Sequence, residues 1–291
     1  MSGGVFYGLM IYILVIFILI EMYNQNRRRR VVQKIEQEIL DRKKTRILER
    51  AKELKGQRLS LDRQNHLKKI LPLYRKLPDS LKPKLEERIL LFQEMVKFES
   101  HPKRSTKITQ QTRDMVSAEA CLLIIHRSPT DYIHLEHIEL WGSEIPRNDE
   151  KKVAGDASYR IVRLDLKYLE RTVNDGEDNF NLVLHEFAHV LDNADDKIAN
   201  SIPVSKDSND YLRWKILLDR EYPKLQAAHQ QGLKPVLSEY AVFDSGRAEF
   251  FSCATESFFE RSVRLKKEDH EIYYLLKDFY KLDPAEWIEN Q

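Results

Sequence analysis

One segment, residues 180–194, constrains the fold more than any other part of the chain. Its apolar residues recur with the period of an α-helix and fall on one side of a helical wheel: Phe180, Val183, Leu184, Phe187, Val190, Leu191 and Ala194. His185, Glu186 and His189 fall on the other side. The pattern predicts a helix that buries one face in a protein core and directs three polar side chains into a separate space.

The order His-Glu-x-x-His indicates what those polar side chains can do. Two neutral imidazoles four residues apart can bind one zinc ion, and a catalytic zinc site keeps one position open for water. Glu186 is placed to accept the proton of that water as a general base. The segment therefore predicts hydrolysis, and a surface helix with two unconnected histidines is the alternative. Asp178 or Asn179 is predicted to cap the helix.

A catalytic zinc site requires a third protein ligand. Asp192 follows His189 by three residues, but helix geometry displaces it by about 4.5 Å along the axis, so we expect it to support a ligand rather than to bind metal. A second predicted helix, residues 247–259, is the better source. Its wheel places Glu249 and Glu256 on one face, and the residues alone do not decide between them.

The chain begins with a segment of different character. Residues 3–20 contain no charged side chain, and a membrane-spanning helix needs about 20 apolar residues. No basic residue precedes this segment and no Ala-x-Ala-like site follows it, which favours an uncleaved anchor over a signal peptide. Arg27–Arg30 follow closely, and basic residues mark the cytoplasmic side of a span. We therefore expect a single-pass protein of the cell inner membrane, with its catalytic domain on the cytoplasmic side.

The charge distribution divides the chain further. The formal net charge is +2, but residues 24–58 contain 13 Lys and Arg against 5 Asp and Glu, which leaves −6 for the rest. This basic stretch has apolar residues at helical spacing and predicts a helical stalk, whose position beside the span favours anionic lipid over nucleic acid as its neighbour. The predicted organisation is a transmembrane anchor at residues 1–23, a stalk at 24–58 and a catalytic domain at 59–291.

The catalytic domain is predicted to be α+β and mostly helical. Helical periodicity extends over residues 85–98 and 110–124. Short alternating segments at residues 132–141 and 159–165 predict a small β-sheet. The two cysteines are far apart in the sequence, which excludes a disulfide-stapled fold and a zinc finger, and we expect Cys253 to be a small core residue.

Five stretches of the chain resemble the Mlc titration factor A family of zinc-dependent peptidases, the first two of them its signature helices: Asn181–Asp192, Ala248–Phe259, Ile70–Pro78, Glu119–Ile124 and Tyr211–Trp214. The resemblance extends from Leu67 to the C-terminus. It implies a zincin-type fold, mostly helical with a small sheet, that is related to the catalytic domain of anthrax lethal factor.

The resemblance also implies a set of site residues. One zinc ion would be bound by His185, His189 and Glu249, with Glu186 as the catalytic base and Tyr240 as the residue that stabilises the oxyanion. The sequence departs from the family pattern in two places. Arg replaces the Pro that usually stands two residues before the third ligand, and Tyr240 lies nine residues before Glu249 instead of seven, which indicates a two-residue insertion.

These features predict a membrane-anchored zinc metallopeptidase that acts on short peptides in the manner of an aminopeptidase. Its predicted partners are a peptide substrate, the membrane and a protein regulator, but not nucleic acid. The alternative is a membrane-tethered binding module that sequesters a transcriptional repressor and uses its zinc site structurally. An intramembrane protease is excluded because the His-Glu-x-x-His helix lies far from the apolar segment and is too polar to span a bilayer.

Overall fold

The computed structural model describes the backbone of residues 3–103, 106–148, 151–172, 180–194, 199–242 and 246–287. It describes the side chains of the same residues except 3–17, 19, 20, 147, 148, 151, 152 and 170–172. Two units divide the chain, Met1–Arg46 and Ile47–Gln291.

The described residues form α-helices, β-strands and short 3-10 turns. The helices are α1 Gly3–Glu53, α2 Leu61–Ile70, α3 Pro72–Lys76, α4 Lys82–Met95, α5 Gln110–Leu122, α6 Leu166–Thr172, α7 Leu182–Asp192, α8 Tyr211–Gln230, α9 Phe250–Glu260, α10 Ser262–Glu268 and α11 His270–Tyr280. The strands are β1 Lys97–Ser100, β2 His137–Trp141, β3 Ile145–Asn148, β4 Lys151–Val153, β5 Gly155–Ala157 and β6 Ile161–Asp165. The 3-10 turns are Glu239–Val242, Gly246–Glu249 and Pro284–Glu286.

Helix α1 includes the basic stretch that follows the apolar segment. Residues 24–55 contain neither Gly nor Pro and are rich in Arg, Lys, Glu and Gln, which favour a helix. The helix ends at Glu53, and Gly56 follows with a φ of 81°, a left-handed conformation that glycine adopts without strain. The stretch predicted as a stalk is therefore helical as far as Glu53.

The predicted membrane anchor falls almost entirely outside the residues whose side chains are described. Where side chains are described, no helix is both long enough and apolar enough to cross a membrane. The anchor therefore stays a prediction.

The second unit contains a four-stranded mixed sheet in the order β1-β2-β6-β5. The first three of these strands are parallel, and β5 pairs antiparallel with β6 at one edge. Ile138 and Leu140 of β2, and Val162 and Leu164 of β6, are fully buried and alternate with more exposed residues. The strands β3 and β4 form a separate two-stranded sheet. The predicted α+β class, mostly helical with a small sheet, is confirmed.

The helix predicted over residues 85–98 is too long. Helix α4 ends at Met95, and the next residues enter β1. Val96 and Phe98 are both buried. Their apolar character fits the end of a helical stripe as well as an alternating strand, so the spacing does not indicate where the helix ends.

The second unit begins before the predicted catalytic domain. Ile47 and Leu54 are buried, and the guanidinium of Arg50 forms a bidentate ion pair with Glu94 at 2.6 and 2.7 Å. A shortened chain for biochemical work should therefore begin before Ile47 rather than at residue 59, because losing these side chains would expose apolar surface of the core.

Helices α7 and α9 pack against each other in the core of the second unit. Phe187 of α7 contacts Phe92 and Tyr132, with ring centroids 5.7 and 5.3 Å away. Every residue of α9 is buried, including the carboxylate of Glu256. Buried polar groups usually have hydrogen-bond partners, so any partner of the polar side chains of α9 has to come from inside the protein.

Candidate metal centre

Helix α7 is capped by Asn181, whose side-chain oxygen accepts a hydrogen bond from the backbone N–H three residues later, at 3.0 Å. The backbone N–H of Asn181 donates to Glu256 at 2.8 Å, and its side-chain amide donates to Glu119 at 2.7 Å. One residue therefore begins α7 and connects it to α9 and α5. The cap predicted at Asp178 or Asn179, which lie outside the described residues, was placed too early.

The two histidines of α7 converge on Glu249. The Nε2 atoms of His185 and His189 each lie 3.0 Å from the same carboxylate oxygen of Glu249, and the donor atoms of all three lie within 4.8 Å of one another. Two imidazole nitrogens and one carboxylate oxygen are a donor set found in catalytic zinc sites. These residues therefore fit a divalent metal ion, and the structure brings the three predicted ligands together.

Glu256 contacts the opposite side of the His185 ring. Its carboxylate accepts a hydrogen bond from Nδ1 at 2.7 Å and another from the backbone N–H of Asn181. Because a carboxylate only accepts, Nδ1 holds a proton, and with a metal ion bound Nε2 would be the nitrogen that supplies the lone pair. The two glutamates that the sequence left open thus occupy separate positions, Glu249 at the metal-binding nitrogens and Glu256 behind the ring.

Cys253 forms a second group with His185 and Glu256, whose donor atoms also lie within 4.8 Å of one another. Burial raises the pKa of this thiol above its ordinary value, although the contact with His185 lowers it. The sulfur accepts a hydrogen bond from the hydroxyl of Ser238 at 3.5 Å. Since the thiolate and not the thiol binds metals, this group fits an ion less well, and Cys253 is a buried residue as expected.

Glu186 lies beside the converging donors and is 5% exposed. Burial raises the pKa of its carboxyl to about 7, although the charges of His185 and His189 lower it. The carboxyl packs on the edge strand β5. A Cβ atom added to Gly155 would lie 2.8 Å from the carboxyl carbon of Glu186 and 2.7 Å from a methyl carbon of Leu182. A side chain at this position would therefore have to displace Glu186 or Leu182, and an isolated glycine in a short strand is the sequence signal for such an approach.

A cavity of about 140 Å³ opens at these residues. It is lined by β5, by the polar face of α7 and by the turns that contain Tyr240 and Glu249. The ring centroid of Tyr240 lies 5.6 Å from that of His185, so the predicted oxyanion residue lies at the cavity. Residues 243–245, in the region of the predicted insertion, lie outside the described part of the chain. A larger groove of about 490 Å³ between α8 and α11 has no such donor group among the described residues.

Asp192 belongs to neither group of converging donor atoms. Its carboxylate accepts hydrogen bonds from the backbone N–H groups of Asn200 and Ser201 at 2.8 and 2.7 Å. Burial raises its pKa to about 6, although these hydrogen bonds lower it. Asp192 therefore stabilises the loop at Asn200 and Ser201 and is not one of the converging metal donors, as its displacement along the helix axis predicts.

Glu119, which bonds to the residue that caps α7, should make the stability of the folded protein depend on pH. Burial raises its pKa from 4.5 to about 7, although the hydrogen bond from Asn181 lowers it. Between pH 4.5 and about pH 7, Glu119 keeps its proton in the folded state and releases it in the unfolded state. The free energy of unfolding therefore falls as the pH rises through this range. The full loss is about 3 kcal/mol and is complete above pH 7.

Glu119→Gln is neutral at every pH and should remove this loss. We expect its free energy of unfolding to rise relative to wild type by up to about 3 kcal/mol between pH 4.5 and pH 8. Urea unfolding of both proteins at each pH measures this difference, and the comparison with wild type cancels the titration of other buried carboxyls. A difference that stays constant with pH would show that Glu119 ionises normally in the folded protein.

Comparison with known proteins identifies the family. Residues 45–281 match the profile of the glucose-regulated metallo-peptidase M90 family. The chain belongs to the M90 metallopeptidases. This match confirms the resemblance predicted from the sequence and extends it towards the N-terminus. An uncharacterized protein of Synechocystis sp. is 29% identical over 233 residues, which cover 74% of this chain and 81% of the relative.

Membership of the M90 metallopeptidases implies a metal ion, and the His185, His189 and Glu249 group fits one. Arg247, which replaces the proline of the family pattern, pairs with Asp219 of α8, and its guanidinium lies 5.6 Å from the centroid of the Tyr222 ring. These contacts anchor the turn before Glu249.

Proposed function

We propose that this M90 metallopeptidase is a zinc-dependent peptidase whose active site is the cavity beside β5. The observation that supports this most is the convergence of His185 and His189 on one oxygen of Glu249, next to the buried carboxyl of Glu186. A zinc ion bound there would polarise the scissile carbonyl and acidify a water molecule.

Three residues at the site would have separate roles, one in proton transfer, one in orienting a ligand and one in stabilising the oxyanion. Glu186 would accept the proton of the attacking water and later deliver it to the leaving amine, a role that its position beside the converging donors allows. Glu256 holds the ring of His185 through Nδ1. Tyr240, which lines the cavity, would donate a hydrogen bond from its hydroxyl to the oxyanion.

We propose short peptides, cleaved in the manner of an aminopeptidase, as the substrates. The small cavity, about 140 Å³, supports a site that accommodates one end of a peptide rather than a long segment. Strand β5 is the edge of its sheet and lines the same cavity, so an extended substrate could add to it through main-chain hydrogen bonds.

Metal analysis combined with peptide hydrolysis tests this function. We expect purified full-length protein to contain about one zinc ion per chain, the stoichiometry of a single His-Glu-x-x-His site. It should release the first residue of short peptides with a free N-terminus, and not of peptides with a blocked one. A chelator should abolish hydrolysis and added zinc should restore it. Protein without metal, or hydrolysis that a chelator does not change, would contradict the proposal.

A membrane location is part of the same proposal. Residues 1–23 would anchor the chain in the cell inner membrane, and Arg27–Arg30, which are exposed, would lie on the cytoplasmic side together with the peptidase domain. Extraction of membranes with alkaline carbonate would leave such a protein in the pellet. Recovery in the supernatant would contradict the anchor without affecting the peptidase.

The alternative function is a membrane-tethered module that sequesters a transcriptional repressor. A Glu186→Gln variant distinguishes the two, because repressor binding at another surface would survive the loss of hydrolysis.

Gly155→Ala is expected to lower kcat by roughly 10- to 100-fold, because the added methyl group displaces the carboxyl of Glu186 from its place on β5. The atoms nearest to that methyl group belong to Glu186 and Leu182, not to a metal donor. Zinc affinity, measured by competition with a chelator, should therefore stay near the wild-type value. A variant with unchanged kcat would show that the site tolerates a side chain at this position.

A further inference from the structure

Glu249 lies at the N-terminus of α9, where a helix leaves backbone N–H groups without partners. Residues at this position often bind such an N–H group through their own side chain. In the described part of the chain the side chain of Glu249 makes no such bond, because its carboxylate faces the two histidines. The backbone N–H groups at the start of α9 are therefore open to a hydrogen bond from another side chain.

Ser201 provides that side chain from a distant loop. Its hydroxyl accepts a hydrogen bond from the backbone N–H of Phe251 at 2.9 Å and donates to the backbone carbonyl of Arg247. These two residues stand two positions after and two positions before Glu249. One fully buried hydroxyl therefore holds both sides of the turn that presents the carboxylate.

Ser201 is itself held by α7. Its φ of 63° lies in the left-handed region, which is unfavourable for a residue with a side chain. The carboxylate of Asp192 accepts hydrogen bonds from the backbone N–H groups of Asn200 and Ser201, which maintain this conformation. Asp192 stands three residues after His189 on the same helix. A continuous set of hydrogen bonds thus connects the helix of the histidines to the turn of the carboxylate.

We propose that Ser201, held by Asp192, is a positioning residue that sets the separation between Glu249 and the two histidines and thereby the metal affinity of the site. The inference rests on the metal-binding part of the proposed function. Neither residue would touch the ion or the substrate. Partners of metal ligands commonly change metal affinity by roughly 10- to 100-fold when they are removed.

Two variants of Ser201 separate its hydroxyl from its backbone conformation. Ser201→Gly removes the hydroxyl and accepts a positive φ without strain, whereas Ser201→Ala removes the hydroxyl and retains the strain. The two should therefore differ in thermal stability. If the hydroxyl positions Glu249, both should bind Zn²⁺ roughly 10- to 100-fold more weakly than wild type, despite that difference. If Ser201→Ala does not fold, Ser201→Gly alone provides the comparison.

Ser252→Ala is the matched control. Ser252 is a fully buried serine of α9, and its hydroxyl has no hydrogen-bond partner among the described residues. Its removal should leave Zn²⁺ affinity unchanged.

The experiment measures Zn²⁺ affinity of the full-length proteins by competition with a chelator and records the absorption spectrum of bound Co²⁺. The spectrum reports coordination geometry, which a loss of stability alone would not change. We expect the Ser201 variants to weaken binding and shift the spectrum, and the Ser252 variant to do neither. Wild-type affinity and spectrum in Ser201→Gly, or an equal loss in Ser252→Ala, would overturn the positioning role. Wild-type protein that binds no Zn²⁺ would instead overturn the proposed function.

Discussion

Glu186→Gln is expected to lower the rate of peptide hydrolysis by roughly 10²- to 10⁴-fold, the range attributed to general acid–base catalysis. The amide has the shape of the carboxyl but does not accept a proton at neutral pH. The carboxyl of Glu186 lies against Gly155 and outside the group of donor atoms formed by His185, His189 and Glu249. Metal affinity should therefore stay near the wild-type value while kcat falls.

Steady-state kinetics and metal analysis of the same preparation measure both quantities. Glu268→Gln is a suitable control, since Glu268 is an exposed residue of α10 that pairs with Arg264 and does not line the cavity. It removes one carboxylate from the domain without touching the cavity. A Glu186→Gln variant that hydrolysed peptides at the wild-type rate would remove Glu186 from the mechanism.

The polar face of α7 could be predicted from sequence because it depends only on helical period. Seven apolar residues on one side leave few orientations for His185, Glu186 and His189, whatever the rest of the fold does. The α+β class followed from similar local patterns. Both features can be predicted because they depend on residues that lie close together in the sequence.

The choice between Glu249 and Glu256 did not follow from local pattern. A wheel drawn over residues 247–259 treats them as one α-helix, whereas the structure has a 3-10 turn up to Glu249 and begins α9 at Phe250. The two carboxylates therefore approach His185 from different directions. The resemblance to a family indicated Glu249, but the contact of each carboxylate with its own ring nitrogen depends on how α9 packs against α7.

Strand β5 was missed for a different reason. It has three residues, too few for an alternating pattern, and it pairs with β6 only through the tertiary fold. Gly155 in that strand determines where the carboxyl of Glu186 lies. Ser201 was missed because its role depends on contacts with residues about 50 positions later in the chain.

Glu249→Gln and Glu256→Gln should separate a metal ligand from a residue that orients one. We expect Glu249→Gln to weaken Zn²⁺ binding by more than about 100-fold. This exceeds the loss of roughly 10- to 100-fold found for residues that contact a metal ligand but not the metal. It replaces the charged oxygen on which both Nε2 atoms converge. Added Zn²⁺ should not restore hydrolysis at concentrations that saturate the wild type.

Glu256→Gln should have the smaller effect. Its side-chain oxygen can still accept a hydrogen bond from Nδ1 of His185, but its amide would face the backbone N–H of Asn181, which has no acceptor to offer. The contact with Asn181 is therefore lost while the contact with His185 remains, and we expect a loss of affinity of roughly 10-fold, the lower end of the range for residues that contact a metal ligand but not the metal. Excess Zn²⁺ should restore hydrolysis, because the three donors are intact.

Cys253→Ser completes this comparison. If the ion were bound by His185, Cys253 and Glu256, the serine variant and Glu256→Gln would lose binding, and Glu249→Gln would retain it. That result would reverse the positions of the two glutamates. We expect the opposite order, because Glu249 contacts both histidines, and a site with one imidazole and a protonated thiol has fewer donors ready for a metal.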